Sequence, residues 1–285
     1  MDTLRRVGIV GSGQMGGGIA EVSARAGLDV ILRSRARASS EATLAGIEKS
    51  LAKQVARGKL DEADAGAILA RITPTDDLGD LVDCGLVIES VVEDLAVKKP
   101  LFAELDAVCK PEAIIATNTS TLSVIELAVQ TKRPDRVCGI HFFNPAPVMT
   151  LVEVVRPLTA SDETIAMAKA FVAACGKDAV DVKDRAGFIV NALLFPYLNN
   201  AVRMLDHGTA SMQDIDTAMK GGCNFPLGPF QLLDLVGLDT SVSILDALYA
   251  EFKDPNYTPV PSLRRMVEAG LLGRKSGRGF YDYRS

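Results

Sequence analysis

Only two histidines occur in the 285 residues, and one of them, His141, ends the apolar run Val137-Cys138-Gly139-Ile140 and precedes Phe142-Phe143-Asn144-Pro145. An imidazole ordinarily titrates near pH ~6.5, so one carried to the ligand end of a parallel sheet can take and return a proton under physiological conditions. A buried histidine whose hydrogen bonds are all met is the structural alternative. Downstream, Glu153 interrupts the otherwise apolar Leu151-Val152-Glu153-Val154-Val155. A carboxylate buried in such a strand needs a partner, and an imidazole paired with it would have its tautomer fixed and its cation stabilised. On an exposed edge strand the same acid would need no partner. The other histidine, His207, follows a long helical pattern and precedes Gly208, which suits a helix end.

A second constellation stands near the N-terminus. Val7, Ile9 and Val10 form a short apolar strand signal running into Gly11-Ser12-Gly13-Gln14-Met15-Gly16, and residues 14–26 have a helix-compatible composition. In a strand-turn-helix unit Gly11 turns the chain, Gly13 lets the backbone approach a pyrophosphate, and Gly16 lets the helix pack closely. The unsatisfied amides of the helix start then face the negative charge. The next strand signal, Val30-Ile31-Leu32, ends at Arg33-Ser34-Arg35, about where this fold places the residue that reads the adenine ribose. An aspartate there would bind the ribose hydroxyls and repel a 2′-phosphate, whereas a serine between arginines offers that phosphate donors and positive charge. NADP(H) is the expected guest, with Arg37 adding to the charge; NAD(H) with a weakened ribose contact is the alternative.

The elements that must position these groups alternate between the two periods. Leu44, Ile47, Leu51 and Val55 give helical spacing over residues 41–57, and a shorter helix is expected over 61–69. A polar turn at 73–77 precedes a strand at 85–88 that ends at Glu89; a helix over 95–108 and a strand at 113–116 follow, the latter running into Thr117-Asn118-Thr119-Ser120. Parallel sheets bind ligands at the carboxyl ends of their strands, which brings in Glu93, Lys98, Asn118 and Ser120. Taken alone, the charges could cap or solubilise a helix, and Asn118 and Ser120 are ordinary turn residues. Lys49, Lys53, Arg57 and Lys59 could meet an anionic substrate tail or form a solvated helix face. Beyond Asp184-Arg185-Ala186 the pattern becomes helical, over 188–205, 212–219, 230–252 and 263–269. The expected fold is α/β, with a Rossmann-type dinucleotide-binding domain over 1–184 and an all-helical domain over 185–285.

Bulk properties exclude several classes. The chain is 48% apolar with formal net charge −5, enough to bury a sizeable core, and every apolar run is broken well short of the ~20 residues that span a bilayer. Met1-Asp2-Thr3-Leu4-Arg5-Arg6 passes into an alternating segment without the long apolar region of a secretory leader, so a cytoplasmic location is expected. Cysteines 84, 109, 138, 175 and 223 are odd in number and widely spaced, which fits core thiols better than disulfides or a metal site. No basic stripe with interleaved aromatics suggests nucleic acid.

Across nearly the whole chain the sequence resembles the 3-hydroxyacyl-CoA dehydrogenase family, especially its short bacterial 3-hydroxybutyryl-CoA members. The glycine turn, Glu89-Ser90-Val91-Val92-Glu93, Thr117-Asn118-Thr119-Ser120, Gly139 to Pro145, Leu151 to Val155 and Gly187-Phe188-Ile189-Val190-Asn191 carry the resemblance. Pro226-Leu227-Gly228-Pro229, residues 234–239 and residues 273–281 complete it. The resemblance implies that His141 is the acid-base group and Glu153 its orienting carboxylate, that Ser120 and Asn191 contact the substrate's 3-oxygen, and that Asn118, Glu93 and Lys98 surround the nicotinamide and its ribose. It further implies a short-chain (S)-3-hydroxyacyl-CoA substrate, with Lys53 and Arg57 near the CoA adenosine phosphate, no metal, and a homodimer formed through the helical domain. The family's ribose-binding aspartate corresponds to Ser34, which again points to NADP(H). A related hydroxy-acid or sugar-acid dehydrogenase and a noncatalytic dinucleotide-binding structural or sensory protein are the competing readings.

Overall fold

The computed structural model describes residues 4–284; Met1, Asp2 and Thr3, with which the segment read for a leader begins, lie outside the described residues, as does Ser285. The chain divides into two compact units, Met1–Asp184 and Arg185–Ser285. In the first, the order is β1 (Arg6–Val10), α1 (Gln14–Arg25), β2 (Asp29–Arg33), α2 (Arg37–Ala56), α3 (Glu62–Ala70), β3 (Ile72–Thr75), β4 (Leu86–Glu89), α4 (Leu95–Val108), β5 (Ile114–Thr117) and α5 (Val124–Ala128). The unit closes with β6 (Val137–Phe142), β7 (Leu151–Arg156), α6 (Asp162–Ala174) and β8 (Asp178–Lys183). The strands form one sheet in the order β3-β2-β1-β4-β5-β6-β7-β8. β1 to β6 run parallel in the doubly wound Rossmann arrangement, and β7 pairs antiparallel to β6 with β8 parallel to β7. Helices cover the sheet, so β4 and β5 are buried at every position, as parallel strands with both faces covered must be.

The polar stretch expected as a turn at 73–77 instead begins inside a strand. Pro74 pairs in register with Leu32, and this is tolerated because β3 is the sheet's edge, where a residue without an N–H leaves no inner ladder bond unmade. The core gathers Ile9, Ile19, Leu32, Leu51, Leu86, Ile88 and Phe171, all fully enclosed, each contributing about 1.5–3 kcal/mol by burial. Cys84, Cys109 and Cys138 are buried thiols, and desolvation pushes Cys84 and Cys138 up to about 12 and Cys109 to about 11. Cys223 is exposed and does not belong to the core.

The second unit comprises α7 (Val190–Asp206), α8 (Met212–Cys223), α9 (Pro229–Val236), α10 (Leu238–Phe252) and α11 (Pro261–Glu268). The single helix expected over 230–252 is broken at Gly237, whose φ of 103° no helix accommodates; its amide closes α9 on Leu233 while its carbonyl receives Ser241 and starts α10. His207 is the C-cap of α7, followed by left-handed Gly208, as expected. The C-terminal turn is strapped down by buried acids: Asp234 accepts from the Phe280 and Tyr281 amides at 2.8 and 2.9 Å, and Asp216 from the Tyr281 hydroxyl at 2.8 Å. Among the described residues no helix is long and apolar enough to cross a membrane.

Candidate active site

The ends of β1, β2, β4, β5 and β6 carry the first unit's candidates. At the exit of β1, Gly11 has φ of 115°, and a Cβ there would lie 2.3 Å from the Ser90 carbonyl oxygen. At Gly16 a Cβ would stand 1.8 Å from the Gly11 carbonyl oxygen, so the helix meets the turn where only glycine fits. Gly13 has nothing within 4 Å of such an atom and caps α1 with no side-chain hydrogen bond. No side-chain cap takes the first α1 amides, beside Ser12, Gln14 and Met15, which is the arrangement a pyrophosphate-binding turn would use.

Beside the cradle, Gly17 and Gly18 of α1 face Thr43, Gly46 and Ser50 of α2 across a groove of about 390 Å³. Thr43 closes one end by donating to the Ser12 carbonyl at 2.6 Å. Lys53 in the last turn of α2 and Arg57 at its C-cap are exposed and without side-chain hydrogen bonds among the described residues. The groove's signal in the sequence is the matched spacing of small residues on the facing helices.

At the exit of β2, Ser34 is buried and its hydroxyl donates to the Ala36 carbonyl at 2.6 Å, so that its proton serves its own turn. Arg33 is half-buried and its Nε donates to the Asp76 carbonyl at 3.3 Å, while Arg37 pairs with Glu41 at 2.9 Å. Arg35 is exposed and has no hydrogen bond or ion pair among the described residues. Among the described residues it is the one of Arg33, Arg35 and Arg37 whose charge is uncommitted.

The ends of β4 and β5 are knitted together. Lys98, 1% exposed, does not solvate its helix: its ammonium lies 2.6 Å from Glu89, the fully buried last residue of β4, and 3.4 Å from Glu93. Glu93 in turn accepts from the Thr119 hydroxyl at 2.6 Å and the Ser120 amide at 2.8 Å. Burial pushes the Glu93 carboxyl up, but the Lys98 ammonium and the Thr119 and Ser120 donors outweigh it and hold the group below its ordinary value. With the folded value depressed, Glu93 contributes stability above its unfolded pKa and gives it up as pH falls through the lowered one. Nothing in the sequence distinguishes Glu89 from an acid that merely ends a strand.

The reversal of β7 completes the site. In the antiparallel register His141 stands directly opposite Glu153, which puts both side chains on one face, and Nδ1 lies 2.7 Å from Glu153 Oε2. His141 is 5% exposed and Glu153 fully buried, with the Phe143 ring 4.5 Å from the imidazole. A carboxylate only accepts, so within this pair the ring donates from Nδ1. Asn118 joins β5 to this strand, its side-chain oxygen accepting the Phe142 amide at 2.8 Å. Asn191 stands in the first turn of α7 in the second unit, buried. Among the described residues no group of His, Cys, Asp and Glu side chains could hold a metal ion.

The family description "3-hydroxyacyl-CoA dehydrogenase, NAD binding domain" matches residues 6–185, and "3-hydroxyacyl-CoA dehydrogenase, C-terminal domain" matches residues 187–283. The chain is 51% identical over 284 residues to the 3-hydroxybutyryl-CoA dehydrogenase of Mycobacterium tuberculosis (strain H37Rv), covering 99% of each chain. It is 45% identical over 278 residues to the enzyme of that name from Clostridioides difficile, covering 98% of this chain and 99% of the other. The crystal structure of (S)-3-hydroxybutyryl-CoA dehydrogenase from Ralstonia eutropha is similar with a TM-score of 0.96 and 44% identity, over 99% of this chain and 100% of that one.

Proposed function

The chain belongs to the 3-hydroxyacyl-CoA dehydrogenase family, and from that membership we propose that it interconverts (S)-3-hydroxybutyryl-CoA and acetoacetyl-CoA with a nicotinamide cofactor, favouring NADP(H) over NAD(H). The observation that carries the reading is the buried His141–Glu153 pair, 2.7 Å apart, set on the sheet whose first turn forms the cradle. When bound, the nicotinamide takes or gives the hydride. In the oxidising direction His141 Nε2 takes the proton of the 3-hydroxyl, and the Glu153 carboxylate stabilises the resulting imidazolium. In the reducing direction the protonated ring returns it, while Ser120 and Asn191 donate to the 3-oxygen as charge develops there. Glu93, Lys98 and Asn118 are assigned to the surroundings of the nicotinamide and its ribose, and Lys53 and Arg57 to the phosphate of the CoA adenosine. The helical unit is assigned to substrate binding and to a homodimer, and the cytoplasm is the proposed location. Purified protein supplied with acetoacetyl-CoA and either reduced cofactor tests the reading through loss of nicotinamide absorbance; a folded protein that consumes neither cofactor rules it out.

The cradle makes two glycine substitutions behave differently. Gly16→Ala is expected to lower the melting temperature and abolish cofactor binding together, because its Cβ collides with backbone. Gly13→Ala is expected to leave the melting temperature unchanged and weaken cofactor affinity alone, because its Cβ meets nothing until a pyrophosphate approaches. Melting curves and titration of reduced-nicotinamide fluorescence check both.

For cofactor choice, Arg35→Gln is expected to weaken NADPH binding about tenfold and leave NADH binding within about twofold, as loss of one charge-assisted hydrogen bond to the 2′-phosphate implies. Arg33→Gln is expected to do less, since that guanidinium already serves the Asp76 carbonyl. Equal losses for both cofactors in Arg35→Gln would remove the basis for the NADP(H) preference.

A further inference from the structure

Glu89 ends β4 and is fully buried, yet the reaction proposed above gives it no task. A carboxylate withdrawn from water is strongly unfavourable unless it is paired and hydrogen-bonded, and Glu89 divides its acceptors among different segments. Oε1 accepts the Lys98 ammonium and the Val91 amide, each at 2.6 Å, and Oε2 accepts the Thr117 hydroxyl at 2.8 Å. From Lys98 the chain of contacts runs to Glu93 at 3.4 Å and on to the Thr119 hydroxyl and Ser120 amide. From Thr117 it runs through the hydroxyl oxygen, which accepts the Thr119 amide at 3.1 Å. Both routes converge on the same turn.

We propose that Glu89 is a positioning residue for the redox site: through Lys98 and Thr117 it fixes Glu93 and the Thr119–Ser120 turn against the ends of β4 and β5. The proposal rests on the reading that Glu93 and Ser120 face the cofactor and the substrate. The charge explains why a glutamate stands there. With Glu89 ionised, the ammonium is held between two carboxylates; with a neutral side chain it is drawn onto Glu93 alone, where its pull on Oε2 turns the carboxylate whose Oε1 receives Thr119 and Ser120. Displacing a reacting group by ~1 Å costs about a hundredfold in rate, so a small shift of this turn is consequential.

Glu89→Gln, Glu93→Gln and the double variant, each in the full chain, form the test. Fluorescence titration gives cofactor Kd, acetoacetyl-CoA reduction gives kcat and KM, and melting curves check folding. Glu89→Gln is expected to lower kcat by about tenfold to a hundredfold and to raise cofactor Kd, with KM for acetoacetyl-CoA little changed. In the Glu93→Gln background the same substitution is expected to cost at least about threefold less, because most of its effect passes through Glu93. Additive losses overturn the proposal, and so does a wild-type kcat in Glu89→Gln. Should Glu89→Gln fail to fold, Thr117→Val severs the other route without altering a charge; a severalfold loss of kcat supports the proposal and an unchanged one overturns it. If the wild-type chain reduces no acetoacetyl-CoA, the functional reading fails, while the non-additivity is still read in cofactor Kd and decides the positioning role separately.

Discussion

His141→Asn is expected to lower kcat for acetoacetyl-CoA reduction by about two to four orders of magnitude, the range a positioned acid-base group supplies, while cofactor Kd stays within about twofold. Asparagine is the informative replacement because its amide can still donate near the position of Nδ1. Glu153 would otherwise be left as a buried carboxylate without that donor, and a loss of folding would be confused with a loss of chemistry. What the variant lacks is the Nε2 lone pair. Steady-state kinetics beside fluorescence titration and a melting curve separate these effects; a kcat within a few-fold of wild type would show that the substrate proton goes elsewhere.

The parts of this site that were legible in the sequence are those where the backbone itself constrains the residue. Gly11 and Gly16 could be assigned their places because any side chain would strike a carbonyl, and a preceding apolar strand with a following helix says which way the turn faces. His141 was legible as the end of an apolar run. Its pairing with Glu153 was legible from the buried acid and the family resemblance, but not the antiparallel register that makes the contact, because an apolar run with one acid reads the same in either orientation. The strand at Ile72–Thr75 was hidden by Pro74, which argues against an inner strand but is silent about an edge. The break at Gly237 was hidden because the apolar pattern continues across it from Leu233 to Leu238.

Side-chain direction was the other hidden quantity. Ser34 lies where the sequence puts it, yet its hydroxyl serves the Ala36 carbonyl, so the proposed preference for NADP(H) rests on Arg35. Lys98, which taken alone could cap or solubilise its helix, is instead enclosed between acids. Glu93 and Asn118 likewise gain their meaning from contacts distant in sequence: one carboxylate gathers the donors of the turn after β5, and one amide oxygen holds the backbone beside His141. The ligand edge is therefore a set of strand ends locked to each other by buried polar groups, an arrangement that can present a rigid constellation to a bound cofactor.

Glu153→Gln isolates what the charge in that constellation does. The substitution keeps the volume and leaves a side chain that can still hydrogen-bond the ring, so β7 is expected to fold normally and the melting temperature to change little. Replacing a buried carboxylate by a neutral isostere also removes a desolvation cost. Catalysis is expected to suffer in two ways. The imidazolium formed when His141 takes the substrate proton loses the negative charge 2.7 Å away, in surroundings that screen poorly. The amide nitrogen can also donate to Nδ1, which favours the tautomer carrying its proton on Nε2, the wrong one for a base. Together these are expected to lower kcat by about two to four orders of magnitude, the upper end being the cost of the wrong tautomer in a histidine–carboxylate pair, with cofactor Kd nearly unchanged. Glu153→Asp restores the charge on a shorter arm and is expected to recover part of the loss. An unchanged kcat in Glu153→Gln, or a loss matched by an equal loss of cofactor affinity, would mean that Glu153 supports the strand and not the proton transfer.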